Sequence, residues 1–193
     1  MEVFQWNRIG ERFDAVCQKA HQYKIPLLVD AEESWIQKAA DEWVEQMMVQ
    51  YNKHKTIVFC TLQMYRKDRL EYLESLHQKG IQEGFKIGVK LVRGAYMEKE
   101  RYRAKENNFP DPICKDKSST DNQFNLAMEY TVKHIDQISL FAGTHNEESC
   151  FQLLSLMEEK NIKKNNPKIW FGQLYGMSDN ISYNLSNRNY NVT

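Results

Sequence analysis

No stretch of the 193-residue sequence approaches the roughly 18 consecutive apolar residues of a membrane-spanning helix. Met1 to Gly10 does not carry the continuous apolar run of a secretory signal either, because Glu2, Asn7 and Arg8 interrupt it. Cysteine is scarce: Cys17, Cys60, Cys114 and Cys150 stand too far apart for a CxxC pair. That argues against a zinc ribbon or a disulfide scaffold and fits a reducing compartment. Net charge is also missing, with 26 basic and 26 acidic residues. No overall field draws nucleic acid or acidic lipid, so a charged ligand needs a local site. GxGxxG, GxxxxGK[ST] and HExxH are all absent, which removes the motif evidence for a Rossmann nucleotide site, a P-loop or a zincin-type metal.

What the chain does have is alternation, with 41% hydrophobic residues to build a core. Short apolar runs rich in β-branched residues are each followed by a longer charged segment of helical spacing. The runs predict strands over Pro26–Asp30, Ile57–Leu62, Ile87–Val92, Ser139–Ala142 and Ile169–Leu174. Helices are predicted over Glu32–Met48, Arg66–Lys79, from Met97, over Ser119–Ile135 and Glu147–Lys160, and around Ser178–Ser186, with a loop at Asn107–Lys117. In the first helix Trp35, Ile36, Ala39, Trp43 and Met47 form the apolar stripe. In the second, Leu70, Leu73 and Leu76 are the buried side, and Gly80 stands where a C-cap is expected.

Such alternation requires parallel pairing through right-handed crossovers. Polar residues gather just after every apolar run: Asp30, Gln63, Arg93, Thr144 with His145, and Gln173. A doubly wound sheet binds ligands at one switch point, whereas in a barrel every strand end faces one mouth. The sequence therefore predicts an α/β fold of the (βα)8 TIM-barrel type, as one domain over residues 1–193. About five consecutive βα units are too few to close eight strands, so the sequence is expected to be partial.

Asp30 ends the run PLLV, which places its carboxylate at the barrel mouth, in reach of a cationic substrate. Glu32 and Glu33 follow at a helix start, where acids also offset the helix dipole. Lys90 lies inside the strand IGVKLV. A buried strand accepts lysine where an anion or acceptor meets the ammonium; otherwise the side chain snorkels or pairs in the core. Gly94 and Ala95 leave the backbone uncovered beside Arg93, so a phosphate or a flavin edge can approach the peptide groups. Thr144 and His145 can hydrogen-bond a cofactor's polar edge, whereas His21, His54, His77 and His134 read as structural. Gln63 and Gln173 donate and accept at once, which suits a flavin or an amide. Met64, Met97 and Met177 read as packing.

Five runs taken together resemble proline dehydrogenase: LLVDAEE (Leu27–Glu33), TLQMY (Thr61–Tyr65), KLVRGAYMEKER (Lys90–Arg101), GTHNEES (Gly143–Ser149) and FGQLYGMSD (Phe171–Asp179). The likeness is greater to the single-function mitochondrial and bacterial members than to the long bifunctional ones. It implies a distorted (βα)8 barrel that binds FAD non-covalently, oxidises L-proline to 1-pyrroline-5-carboxylate and passes electrons to a membrane quinone. It further implies peripheral membrane association, in the cytoplasm or at the inner membrane of a bacterium, or in the mitochondrion of a eukaryote.

On matching positions the resemblance implies catalytic roles for Asp30, near the proline amine, for Lys90, beside the flavin N5 region where many bacterial members carry arginine, and for Tyr96. Ala31, Gln63, Arg93, Gly94, Ala95, Thr144 and His145 match flavin-contacting positions, and Glu32 is a looser candidate. Two upstream strands, and a last strand with a helix whose paired arginine clamps the substrate carboxylate, are implied to lie outside this sequence. Substrate binding is then expected to be weakened, and the missing segments or a second chain to close the barrel.

Two other readings compete. One is a non-catalytic barrel remnant that serves as a binding module or inactive subunit. The other is a nicotinamide-dependent or aldolase-type barrel, which needs a phosphate motif or a Schiff-base lysine, for which Lys90 is the candidate. The joint match of Asp30, Gln63, the Arg93 turn and His145 favours the flavoenzyme.

Overall fold

The computed structural model describes residues 3–193. A helix, α1 (Val3–Tyr23), precedes five strand-helix units. They are β1 (Leu27–Val29) with α2 (Ser34–Tyr51), β2 (Val58–Gln63) with α3 (Arg69–Glu83), and β3 (Ile87–Val92) with α4 (Met97–Glu106) and α5 (Lys117–Lys133). Then follow β4 (Ile138–Gly143) with α6 (Glu147–Glu159), and β5 (Ile169–Gly172) with α7 (Asp179–Asn187). All five strands are parallel and lie side by side in chain order. The order does not reverse, so the described residues hold no switch point; the sheet curls into a half-barrel, the incomplete TIM-type architecture that the alternation predicts.

Successive strand residues point to opposite faces. On one face lie Cys60 and Leu62 of β2, Val89 and Leu91 of β3, and Leu140 and Ala142 of β4, all buried in one core with Met48 of α2, Leu73 of α3, Phe124 of α5 and Leu153 of α6. Each fully buried aliphatic side chain contributes on the order of 1.5–3 kcal/mol, so this face binds the helical layer to the sheet. The concave face instead carries Thr61, Gln63, Lys90, Val92, Phe141 and Gly143. The register sets Thr61 beside Lys90, and Lys90 beside Phe141. Beyond β5, Phe171 bridges Val192 in parallel, with Phe171 N donating to Asn191 O and Thr193 N to Phe171 O, each at 3.0 Å.

The structure corrects several expectations. Helix α1 was not foreseen; its inward positions Gly10, Phe13, Cys17 and Ala20 have helical spacing but are small or mixed, so they make no clear apolar stripe. At Gly10 an added Cβ would run into the Trp43 ring of α2. The buried face of α2 is Gln37, Asp41, Val44, Met47, Met48 and Tyr51; of the expected stripe Met47 is buried and Trp43 packs partly buried against the core, while Trp35 and Ile36 are exposed. That stripe is turned because Gln37 Nε2 donates to Asp41 Oδ1 at 2.7 Å and Asp41 Oδ2 accepts from Arg69 Nη1 of α3 at 2.8 Å. A buried polar network thus displaces the aromatic edge. Gly80 does not cap α3; it lies inside it, where a Cβ would press on Ile87 and the Phe85 carbonyl. The cap is Gly84, in the left-handed region at φ 70°, with its N–H donating to Gly80 O. Strand β5 ends at Gly172, so Gln173 and Leu174 belong to the loop after it. Of the methionines read as packing, Met64 is fully buried but Met97 and Met177 are exposed.

Candidate active site

At the C-terminal ends of the strands the concave face opens into a cleft of about 830 Å³. The ten residues to which the resemblance gives catalytic or flavin-contacting roles line it, Asp30, Ala31, Gln63, Lys90, Arg93, Gly94, Ala95, Tyr96, Thr144 and His145, as does Gln173, whereas the looser candidate Glu32 is not in the lining. The ten converge from the ends of β1, β2, β3 and β4, as a barrel mouth requires. Thr61 and Phe141 join them unforeseen, although each lies two residues before a strand-end position and so on the same face. Lys117 and Leu174 also join; neither is on a strand, and only the tertiary fold brings them there.

At the centre Lys90 Nζ donates to Asp30 Oδ1 at 2.6 Å, and Thr61 Oγ1 lies 3.5 Å from the same oxygen. The partner that a lysine in an apolar strand needs is therefore the β1 carboxylate. The pair faces the cleft rather than the core, since the Asp30 side chain is 75% exposed and that of Lys90 24%.

The turn after β3 is fixed from beneath by β2. Tyr65 N donates to Arg93 O at 2.8 Å and Tyr96 N to Tyr65 Oη at 3.3 Å. Gly94 has φ 140°, and a Cβ there would collide with the Tyr65 ring. Glycine is required on both counts. Burial pushes the Tyr65 phenol up to about 12, so it stays neutral as the acceptor for this turn. Gln63 joins two loops: its Nε2 donates to Glu32 O at 2.9 Å and its Oε1 accepts from Ala95 N at 3.0 Å. Tyr96 Oη donates to Glu32 Oε2 at 3.3 Å. Partial burial and then the Glu32 charge raise this phenol and keep it protonated.

Arg93 occupies the wall towards α5 and α6. Its Nε donates to Asp121 Oδ1 at 2.6 Å, Nη1 to Thr144 Oγ1 at 2.7 Å and Nη2 to Ser149 Oγ at 3.2 Å. Its guanidinium carbon stands 4.7 Å from the centre of the Phe124 ring. His145 is exposed, with Nδ1 3.0 Å from Ser178 Oγ, and Gln173 Nε2 donates to Thr144 O at 3.1 Å. At the opposite rim Lys99 of α4 pairs with Glu33, and this hydrogen bond holds the Glu33 carboxyl below the usual carboxylate range.

The family model of proline dehydrogenase matches residues 2–193. The carbapenem antibiotics biosynthesis protein CarD of Pectobacterium carotovorum subsp. carotovorum is 37% identical over 187 residues, covering 97% of this chain and 47% of that protein. The mitochondrial proline dehydrogenase 1 of Homo sapiens is 33% identical over 194 residues, covering 99% of this chain and 32% of that protein. Among solved structures, proline utilization A of Bdellovibrio bacteriovorus, inactivated by N-propargylglycine, superposes with a TM-score of 0.89 at 22% identity. It covers 97% of this chain and 20% of that one and so shares the fold. The chain thus spans less than half the length of the curated relatives named here. With the model matched along almost all of its length, the chain belongs to the proline dehydrogenase family.

Proposed function

We propose that the cleft oxidises L-proline to 1-pyrroline-5-carboxylate with FAD as its cofactor. The observation that carries this reading is the convergence of ten residues from four strand ends on one cleft around the Asp30–Lys90 pair. A flavin fits the residues present. The cleft falls within the roughly 300–1,000 Å³ of small-molecule sites. It presents three cations, Lys90, Arg93 and Lys117, to an anionic cofactor, and the exposed turn Gly94–Ala95 leaves its backbone open to close approach. Ala31, Gln63, Arg93, Gly94, Ala95, Thr144 and His145 would hold it.

When bound, the flavin supplies a two-electron hydride acceptor. The chain's own part is to hold and polarise. The substrate loses a hydride from its ring carbon and a proton from its ring nitrogen, which leaves a C=N bond. Asp30 faces the cationic amine, and Lys90 supplies positive charge beside the site of transfer. The proton leaves to solvent, to which Asp30 is open. Tyr96, kept protonated, forms a wall against the ring. Electrons pass on to a membrane quinone through peripheral contact, in mitochondria if the source is a eukaryote, as the name of the human relative states of that protein.

The test is absorbance. The purified protein is incubated with FAD, freed of excess cofactor and given L-proline without oxygen. Bound flavin whose visible band bleaches with proline is expected. Protein that stays colourless, or bound flavin that proline does not bleach, overturns the assignment in favour of a binding module.

A further inference from the structure

The cations of the cleft are not held independently. Asp121 of α5 lies outside the cleft lining, yet its Oδ1 accepts from Arg93 Nε at 2.6 Å and its Oδ2 from Lys117 Nζ at 2.5 Å. One carboxylate therefore ties two of the three cleft lysines and arginines, while Asp30 ties the third. The two hydroxyls on Arg93 are themselves fixed. Thr144 Oγ1 accepts from Asn146 N at 3.1 Å, Ser149 Oγ donates to Asn125 Oδ1 at 2.9 Å, and Ser149 N donates to Asn146 Oδ1 at 2.8 Å. Arg93 carries five N–H donors. Three are spent on these partners, which leaves two for the cleft that the residue lines.

We propose that Asp121 is a positioning residue, which holds the Nε edge of Arg93 and the ammonium of Lys117 so that both cations face an anionic ligand in the cleft. The proposal rests on the reading of that ligand as the flavin cofactor. Of the three Arg93 partners Asp121 alone is charged, and its bond is the shortest, so it dominates the orientation of the guanidinium. The carboxylate is suited to this. Burial by itself would raise it, but the hydrogen bonds and charges of Lys117 and Arg93 outweigh that and keep it ionised, below the usual range. A simple staple between α5 and β3 would make the same contacts, but it would act on stability and not on the affinity of the folded cleft.

Two measurements separate these. The first needs no flavin: the Arg93 Nε–H proton is followed by NMR. It is expected to exchange slowly in the wild type and in Lys117→Met, and fast in Asp121→Asn; slow exchange in Asp121→Asn overturns the proposal. The second is a fluorescence titration with FAD. Asp121→Asn is expected to weaken binding about tenfold, equivalent to about 1.4 kcal/mol, and to add nothing in a background where both cations it holds are removed, Arg93→Met with Lys117→Met. The same loss in both backgrounds, or unchanged affinity with only a lower melting temperature, overturns it. If the wild type binds no FAD while the exchange result holds, the flavin reading falls and the positioning of Arg93 by Asp121 stands. Should Asp121→Asn fail to fold, Asp121→Glu keeps the charge, lengthens the arm and carries both measurements.

Discussion

Lys90 reaches Asp30 across an intervening strand. Strands β1 and β3 do not pair with each other, since β2 lies between them, yet Nζ and Oδ1 meet at 2.6 Å on the concave side, beside Thr61. Two strand spacings amount to about 10 Å. The length of the lysine side chain and the inward curl of the sheet close that gap. The contact is therefore a property of the half-barrel and not of either strand alone.

Because the pair faces solvent, breaking it separates stability from function. Exposed ion pairs contribute about 0–1 kcal/mol, so Asp30→Asn is expected to move the urea midpoint little. Proline-dependent bleaching should fall at least about tenfold, in line with the loss of one charged contact to the substrate. A large stability loss with proportionate inactivation would mark the pair as structural instead.

The turn after β3 allows a sharper test. Gly94→Ala places a Cβ at φ 140° against the Tyr65 ring. Strain of this kind costs about 1–3 kcal/mol, and the displaced turn would move Ala95 N away from Gln63 Oε1. A lower urea midpoint with an unchanged slope is expected. Tyr65→Phe should not rescue it, since the ring rather than the hydroxyl meets the new methyl group; rescue would show that the Tyr65 hydroxyl is the obstacle.

The strands were legible because each is a short apolar run rich in β-branched residues, followed by a longer charged segment of helical spacing. The apolar run Ile87–Val92 appears in the structure with the same ends. The cleft was legible for a related reason: a polar residue that ends an apolar strand can only point at the mouth. Features set by long-range polar contacts were not legible. The buried stripe of α2 depends on Arg69, 28 residues beyond Asp41, and no local pattern announces that pairing. Asp121 and Lys117 read as ordinary charges at a helix start until α5 is laid against the end of β3. Gln63 was read as a ligand contact by its chemistry; that its amide also bridges two loops, with Nε2 donating to Glu32 O and Oε1 accepting from Ala95 N, no local pattern announces.

The network that turned α2 makes its own prediction. Burial raises the Asp41 carboxyl, although Gln37 and Arg69 oppose the shift. Asp41→Ala leaves the guanidinium of Arg69, which is 7% exposed, with an unpaired edge in the core. Breaking a buried ion pair from one side costs about 3–5 kcal/mol. The bond from Arg69 Nη2 to Asp68 survives, so the lower end is expected. Asp41→Leu combined with Arg69→Met and Gln37→Leu should recover most of the loss in urea unfolding, because apolar replacements of a whole buried network are often neutral.

A last prediction concerns acid. His77 is 2% exposed, with Nδ1 2.9 Å from Tyr130 Oη, its ring 4.6 Å from that of His134, and Nε2 buried without a hydrogen-bond partner among the described residues. Burial, then the neighbouring His134, holds His77 below the ordinary histidine value; burial, then Lys133, does the same to His134. Glu74 is the acidic group that acts on this cluster, through Tyr130. With folded values depressed, the native state binds fewer protons than the unfolded chain once the pH drops below about 6.5. Stability should therefore fall as pH is lowered from about 6.5 through the folded values, well before the lowered carboxylates of Asp121 and Glu33 begin to lose their contributions at more acidic pH. Urea midpoints measured from neutral to mildly acidic pH are expected to decline in the wild type and to flatten in His77→Phe, which keeps a ring of similar shape and cannot take a proton. An equally steep decline in His77→Phe would place the acid sensitivity elsewhere.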